Sequence, residues 1–215
     1  MKSLIISCVI AVASLPASAD AATVTVTGAT EIAKPASVTN GAPGSNGGTL
    51  WFLESLGSVV AANQAGLGGT AIVAGQLVDT YMIFLNRGDS TRTLLEDSAS
   101  FSFSTAILGI FGQANGGDLV ATDYFGGSTT YTNFNARGIE NDNNGSLSAT
   151  GNNNDLLTIV GTNQLDTYFK VTQPGDWVRV AVVSSVPVPA GLLLLPFGLA
   201  GLFAVGRRKQ RATAA

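Results

Sequence analysis

Apolar and polar residues alternate along several short stretches of the chain, and this period of two is typical of half-buried β-strands. In residues 98–104 the alternation is strict, so Phe101 and Phe103 are predicted to share one face of a strand. In residues 176–182 valine occupies positions 178, 180 and 182, and these valines are predicted to point the same way. The pattern therefore indicates strands with one buried face.

Other stretches are rich in β-branched and aromatic residues or form short apolar runs, which also predicts strands. They are residues 22–27, 49–53, 77–85, 106–111, 156–160 and 167–171. Residues 39–48 are rich in Gly and Asn and predict a loop, whereas residues 57–75 show no clear period. No helical period is evident between the two ends. We therefore expect an all-β body, a single jelly-roll-like β-sandwich.

The C-terminal end has a different pattern. Residues 190–206 are uncharged and mostly apolar, and a basic cluster follows them at once. That cluster consists of Arg207, Arg208, Lys209 and Arg211. A run near the lower limit of about 17 residues, followed by basic residues, predicts one transmembrane helix with its basic end in the cytoplasm. The alternative is a buried core helix.

A proline-containing motif stands at the start of this segment: Val186, Pro187, Val188, Pro189, Ala190 and Gly191. Motif, apolar span and arginine cluster together resemble the VPLPA variant of the PEP-CTERM sorting tails of Gram-negative bacteria. Val188 stands where the commonest variant has leucine. The resemblance implies that an exosortase-like membrane protease cleaves near the motif and passes the body to the cell surface. The alternative is a permanent C-terminal anchor.

The N-terminal end reads as a secretory signal peptide, residues 1–19. Lys2 is followed by an apolar centre, and the small residues Ala17 and Ala19 mark a cleavage site before Asp20. A lipoprotein cleavage box at Cys8 is an alternative with too little apolar sequence before it. The predicted organisation is a signal peptide (1–19), an exported body (20–185) and a sorting signal (186–211).

Composition restricts the chemistry of the body. The chain has no histidine, and its one cysteine, Cys8, lies in the signal peptide. Disulfides, thiolate chemistry, histidine-based triads and most zinc sites are thereby excluded. Five of the eleven basic residues lie in the two ends, so the body has six basic and fourteen acidic residues, a formal charge of −8. Such a body is not expected to bind nucleic acid.

Residues 77–183 carry a second set of motifs. They include Val78-Asp79-Thr80-Tyr81, Phe101-Ser102-Phe103, Ala121-Thr122-Asp123, Arg137-Gly138-Ile139-Glu140 and Asp176-Trp177-Val178-Arg179-Val180. These motifs resemble a recurring domain of PEP-CTERM-type exported proteins, in which leucine is usual at the position of Ile139. The resemblance implies an exported β-sandwich and brings no catalytic residues.

Charged and aromatic residues near these motifs are candidates for ligand binding. They are Asp123, Tyr124, Tyr131, Arg137 and Glu140. The aromatic rings could stack on a sugar, and a pair of carboxylates could hydrolyse a glycoside without histidine. The alternative is structural: the arginines, including Arg179, pair with carboxylates, and the aromatic residues fill the core.

An Asn- and Asp-rich stretch offers oxygen ligands for calcium, with Asp142, Asn144 and Asp155 as the candidates. It lacks the EF-hand and nonapeptide spacings, and a plain hairpin loop explains the same composition. No other cofactor is expected.

The sequence therefore predicts a non-enzymatic protein exported through the inner membrane of a Gram-negative bacterium. We expect it to be held transiently in that membrane by its C-terminal helix. An exosortase-like protease would then pass it to the cell surface or extracellular matrix. Two alternatives stay open: a carbohydrate-binding module acting on exopolysaccharide, and a hydrolase that uses carboxylates.

Overall fold

A computed structural model describes residues 21–39, 41–45, 47–87, 94–112, 117–131, 138–139, 155–171 and 175–185. By the proximity of its Cα atoms, Asp20–Val186 forms one compact unit. The other unit, Met1–Ala19 with Pro187–Ala215, lies outside the described residues. The predicted signal peptide and sorting tail therefore remain predictions.

The described residues fold mostly as β-structure. The strands are β1 (Val24–Thr27), β2 (Ala29–Glu31), β3 (Ser37–Val38), β4 (Thr49–Val59), β5 (Leu77–Asn86), β6 (Leu95–Phe103), β7 (Ile107–Phe111), β8 (Thr130–Tyr131), β9 (Leu156–Val160), β10 (Gln164–Val171) and β11 (Gly175–Val183). A short helix α1 (Gly117–Thr122) continues into a 3₁₀ turn at Asp123–Gly126. The predicted strands are all present, whereas the expectation that the body has no helix is wrong.

Two main sheets form a sandwich. One has four strands in the order β1-β6-β10-β9, and the other has five in the order β2-β4-β5-β11-β7. In the described part of the chain β3 and β8 form a separate parallel pair. The prediction of an all-β sandwich is thus confirmed.

The main hydrophobic core contains side chains from both sheets. Phe101 and Phe103 of β6 belong to it together with three valines of β11, Val178, Val180 and Val182. Each strand therefore directs its predicted side chains to one face, which confirms the alternation of β6, whereas β11 is buried on both faces and not on one as predicted.

A second apolar layer covers the other face of the five-stranded sheet. Phe84 and Trp177 stack there with ring centroids 4.4 Å apart, and Leu119 of α1 and Phe125 of the 3₁₀ turn pack in the same cluster. Strands β5 and β11 are consequently buried on both faces. Polar side chains on these strands must find partners inside the protein.

Among the described residues, no helix has the length and apolar character needed to cross a membrane.

Candidate functional site

Arg179 is the centre of a buried polar cluster that contains two of the predicted ligand-binding residues, Asp123 and Tyr131. Neighbouring residues on β11 point into the main core, so Arg179 points to the opposite face, where Leu119 and the 3₁₀ turn cover it. Its side chain has no exposed surface. A buried charge of this kind requires a full set of partners.

The guanidinium group has those partners. Its Nε and Nη2 atoms donate to the two carboxylate oxygens of Glu54 on β4, each at 2.7 Å. Nη1 donates to the Leu119 carbonyl at 2.9 Å and to Thr122 Oγ1 at 2.6 Å. Nη2 also donates to Asp123 Oδ1 at 3.2 Å. Because a guanidinium group has five N–H donors, every one of them is used.

Tyr131 contacts both Glu54 and Arg179 and completes the cluster. Its hydroxyl donates to Glu54 Oε1, and the Arg179 guanidinium carbon lies 5.3 Å from the centre of its ring. Burial, and then the charge of Glu54, raise the pKa of Tyr131, so its hydroxyl stays protonated. The cluster joins β11, β4, the helical segment and β8. Its geometry is that of an internal clamp rather than of an open binding site.

The remaining aromatic candidate has a different environment. Tyr124 is 42% exposed, and its hydroxyl accepts a hydrogen bond from the Ala61 amide at 3.3 Å. Its ring centre lies 4.3 Å from that of Phe125, which is buried. Tyr124 is thus accessible to a ligand, whereas the Tyr131 hydroxyl is engaged inside the protein.

Most of the other predicted site residues lie outside the described residues. These are Arg137, Glu140, Asp142 and Asn144, together with the sorting motif, the basic cluster and the signal cleavage site. Asp155 is described and is 1% exposed, and its Oδ1 accepts the Lys170 amide at 2.9 Å. In the described part of the chain, no three metal-binding side chains come together.

A second buried carboxylate, Asp79 on β5, lies where the two ends of the described body meet. Its Oδ2 accepts the Ala22 amide at 3.0 Å. Its Oδ1 accepts the Gly57 amide at 2.8 Å and the Ser184 hydroxyl at 2.7 Å. The Tyr81 hydroxyl donates to the Ala22 carbonyl, and burial and the Asp79 charge raise the pKa of Tyr81. We call this group the Asp79 clasp.

The outer face of the four-stranded sheet carries an open groove of about 530 Å³, within the range of small-ligand sites. Residues on its floor include Ser98, Ser100, Thr158, Gln164, Asp166 and Tyr168. Leu165, Thr167 and Phe169 of β10 are buried, so the intervening Asp166 and Tyr168 face outward. The sequence predicts a strand over residues 167–171, but Tyr168 is not among the predicted ligand-binding residues.

The fold and these sites define an all-β sandwich with a buried ionic clamp, a clasp at its ends and a polar groove on one sheet. Comparison of the chain with protein family models, with curated proteins and with solved structures gave no match.

Proposed function

We propose that this chain is an exported, non-enzymatic β-sandwich protein that a C-terminal sorting signal delivers to the cell surface or extracellular matrix. The observation that carries the proposal is the tail: a Pro-containing motif, an apolar span and a basic cluster in that order. An exosortase-like membrane protease would process it near residues 186–191. The apolar span would hold the chain in the inner membrane until then, as one transmembrane helix.

The Asp79 clasp supports this proposal. Ala22 lies shortly after the predicted signal cleavage site, and Ser184 lies two residues before the first residue of the motif. Both are bound to the same carboxylate. A body fixed at these two points would keep its fold when the segments beyond them are cleaved.

Two buried carboxylates, Glu54 and Asp79, have a structural role. Glu54 and Asp79 are at most 1% exposed, and their oxygens accept structural hydrogen bonds. Carboxylates that hydrolyse a glycoside must reach the bond on both sides. Glu54 and Asp79 have no such access.

The strand connections favour a jelly-roll-like arrangement, which we include in the proposal. From β5 to β6, from β6 to β7 and from β10 to β11 the chain passes from one main sheet to the other. Repeated crossing between two facing sheets is a property of jelly rolls.

Replacing both motif prolines, Pro187→Ala with Pro189→Ala, tests the delivery. We expect an unprocessed, membrane-held form, because the protease would no longer find its motif. Gel mobility, cell fractionation and the mass of the mature protein would report it. Pro196→Ala is the matched control, since it changes a proline of the apolar span and leaves the motif intact. Identical mobility and fractionation of the double variant and the wild type would refute processing at this motif.

A second candidate function is carbohydrate binding. The observation that favours it is the groove on the four-stranded sheet, where an outward-facing tyrosine lies among hydroxyl, amide and carboxylate side chains. Retention of the protein on an immobilised polysaccharide would test this function.

A further inference from the structure

We infer that the groove on the four-stranded sheet binds an uncharged polysaccharide chain through Tyr168, Asp166 and Gln164. The inference rests on the second candidate function and names its site and its ligand class. The hydroxyl of Tyr131, a binding residue predicted from the sequence, is held by Glu54. The inference therefore assigns sugar binding to side chains of the groove, which face solvent.

The strand register sorts the groove into an apolar row and a polar row. Tyr168 of β10 is paired with Leu156 of β9, which is 41% exposed, and with Ser98 of β6. Directly opposed residues on one sheet face lie close enough for their side chains to touch. The ring of Tyr168 and the side chain of Leu156 therefore form an apolar surface about two side chains wide.

The adjacent row is polar. Asp166 is paired with Ser100 on one side and Thr158 on the other, and Ser100 is paired with Thr27 of β1. Along β10, Gln164 follows on the same face. Hydroxyl, carboxylate and amide groups thus lie beside the apolar surface. A sugar ring has the same two characters, an apolar C–H face and a rim of hydroxyls, so the two rows match it.

Hydrogen bonds within the protein fix the polar row before any ligand arrives. Ser100 Oγ donates to Asp166 Oδ1 at 2.6 Å, and Gln164 Nε2 donates to the same oxygen at 2.9 Å. Within the described part of the chain, both hydrogen bonds to the Asp166 carboxylate go to Oδ1. Oδ2 is therefore available to accept hydrogen bonds from sugar hydroxyls. A carboxylate held in place loses little conformational freedom when it binds.

Charge selects among polysaccharides. Asp166 is the charged residue that lines the groove, and its hydrogen bonds from Ser100 and Gln164 lower its pKa, so it stays ionised. Glu96 and Lys170, near Tyr168, form an ion pair at 3.1 Å. The body as a whole carries −8. An acidic polysaccharide would be repelled by Asp166 at short range and by the net charge of the body at long range. A neutral polysaccharide would not be repelled.

The test is native gel electrophoresis of the full-length chain, purified in detergent, through gels that contain a soluble polysaccharide. Neutral probes are dextran, hydroxyethyl cellulose and mannan, and acidic probes are alginate and polygalacturonate. We expect retardation by at least one neutral probe and none by the acidic ones. Tyr168→Ala should weaken that retardation about tenfold or more, which corresponds to about 1.4 kcal/mol of binding free energy.

Three further variants keep the test decisive. Gln164→Ala alters the same groove without removing an aromatic residue and should also weaken binding, while circular dichroism verifies that each variant is folded. Tyr124→Ala tests the exposed tyrosine outside the groove as a rival site. Val73→Ala is the matched control, because it truncates an exposed apolar side chain outside the groove, and it should leave binding unchanged.

The outcomes separate the inference from the function on which it rests. Binding that survives Tyr168→Ala and Gln164→Ala, that is lost with Tyr124→Ala, or that occurs only with acidic probes would overturn the groove assignment and leave carbohydrate binding standing. A wild-type chain that no probe retards would overturn both.

Discussion

A single side chain, Arg179, connects the five-stranded sheet to the segments that cover it. Its five donors meet Glu54, Asp123, Thr122 and a backbone carbonyl, and its own surface is fully buried. The net contribution of a buried ion pair is small, because both charges lose their hydration. The loss of one partner is costly, because the other charge remains buried alone.

Glu54→Gln should therefore lower the free energy of unfolding by about 3–5 kcal/mol, measured by urea denaturation. Glu96→Gln is the matched control, since it removes a carboxylate from an ion pair with Lys170 in which Glu96 is 41% exposed. Its effect should be small beside that of Glu54→Gln, because solvent screens this exposed pair. Equal effects of the two variants would contradict the role of the Arg179 cluster.

Only some residues of this cluster could be identified from the sequence. Arg179, Asp123 and Tyr131 stood in or near recognisable motifs, but Glu54 did not. It is 125 positions from Arg179 along the chain and lies in a strand whose partner is fixed only by the fold. Long-range pairing of this kind leaves no local pattern to read.

At the scale of elements, the first passage of the chain between the two main sheets, from β1 to β2, depends on Gly28. Strand β1 pairs with β6 in one sheet, and β2 pairs with β4 in the other, with Gly28 alone between them. Gly28 has a φ of 83°, and a Cβ there would collide with the Ser98 carbonyl oxygen. Glycine satisfies both conditions because it lacks a Cβ.

Gly28→Ala should lower the free energy of unfolding more than Gly75→Ala. Gly75 has a nearly equal φ of 85°, with open space around its Cβ position. Its replacement should cost only the backbone term of about 1–2 kcal/mol. At Gly28 the collision should add about 1–3 kcal/mol. Thermal unfolding of both variants measures the difference, and similar values would show that the close approach to Ser98 relaxes freely.

Element length decided which parts of the fold were predictable. Strands such as β6 and β11, nine residues each, show several periods of alternation and were predicted. Strands β3 and β8 have two residues each, and α1 has six, too few to display a period. The groove follows from the strand register across β9, β10 and β6, which a single sequence does not fix.

For the whole molecule, the Asp79 clasp brings the first and last described parts of the body to one carboxylate on a central strand. Three hydrogen bonds converge there, from the Ala22 and Gly57 amides and the Ser184 hydroxyl. A hydrogen bond to a charged group contributes about 1.5–3 kcal/mol, more than a neutral one does. Both ends of the body therefore depend on one side chain.

Asp79→Asn should loosen the ends while the rest of the sandwich stays folded. The substitution keeps the shape of the side chain but removes its charge and places an N–H₂ group against a donor. We expect hydrogen exchange at the Ala22 and Gly57 amides to accelerate by roughly ten- to a hundredfold, from the loss of such bonds. Asp97→Asn is the control, because Asp97 accepts the Thr49 amide at 2.6 Å and should affect exchange there, not at Ala22. Unchanged exchange at Ala22 in Asp79→Asn would mean that other contacts hold the N-terminal end, and the clasp would then have no part in keeping the body closed.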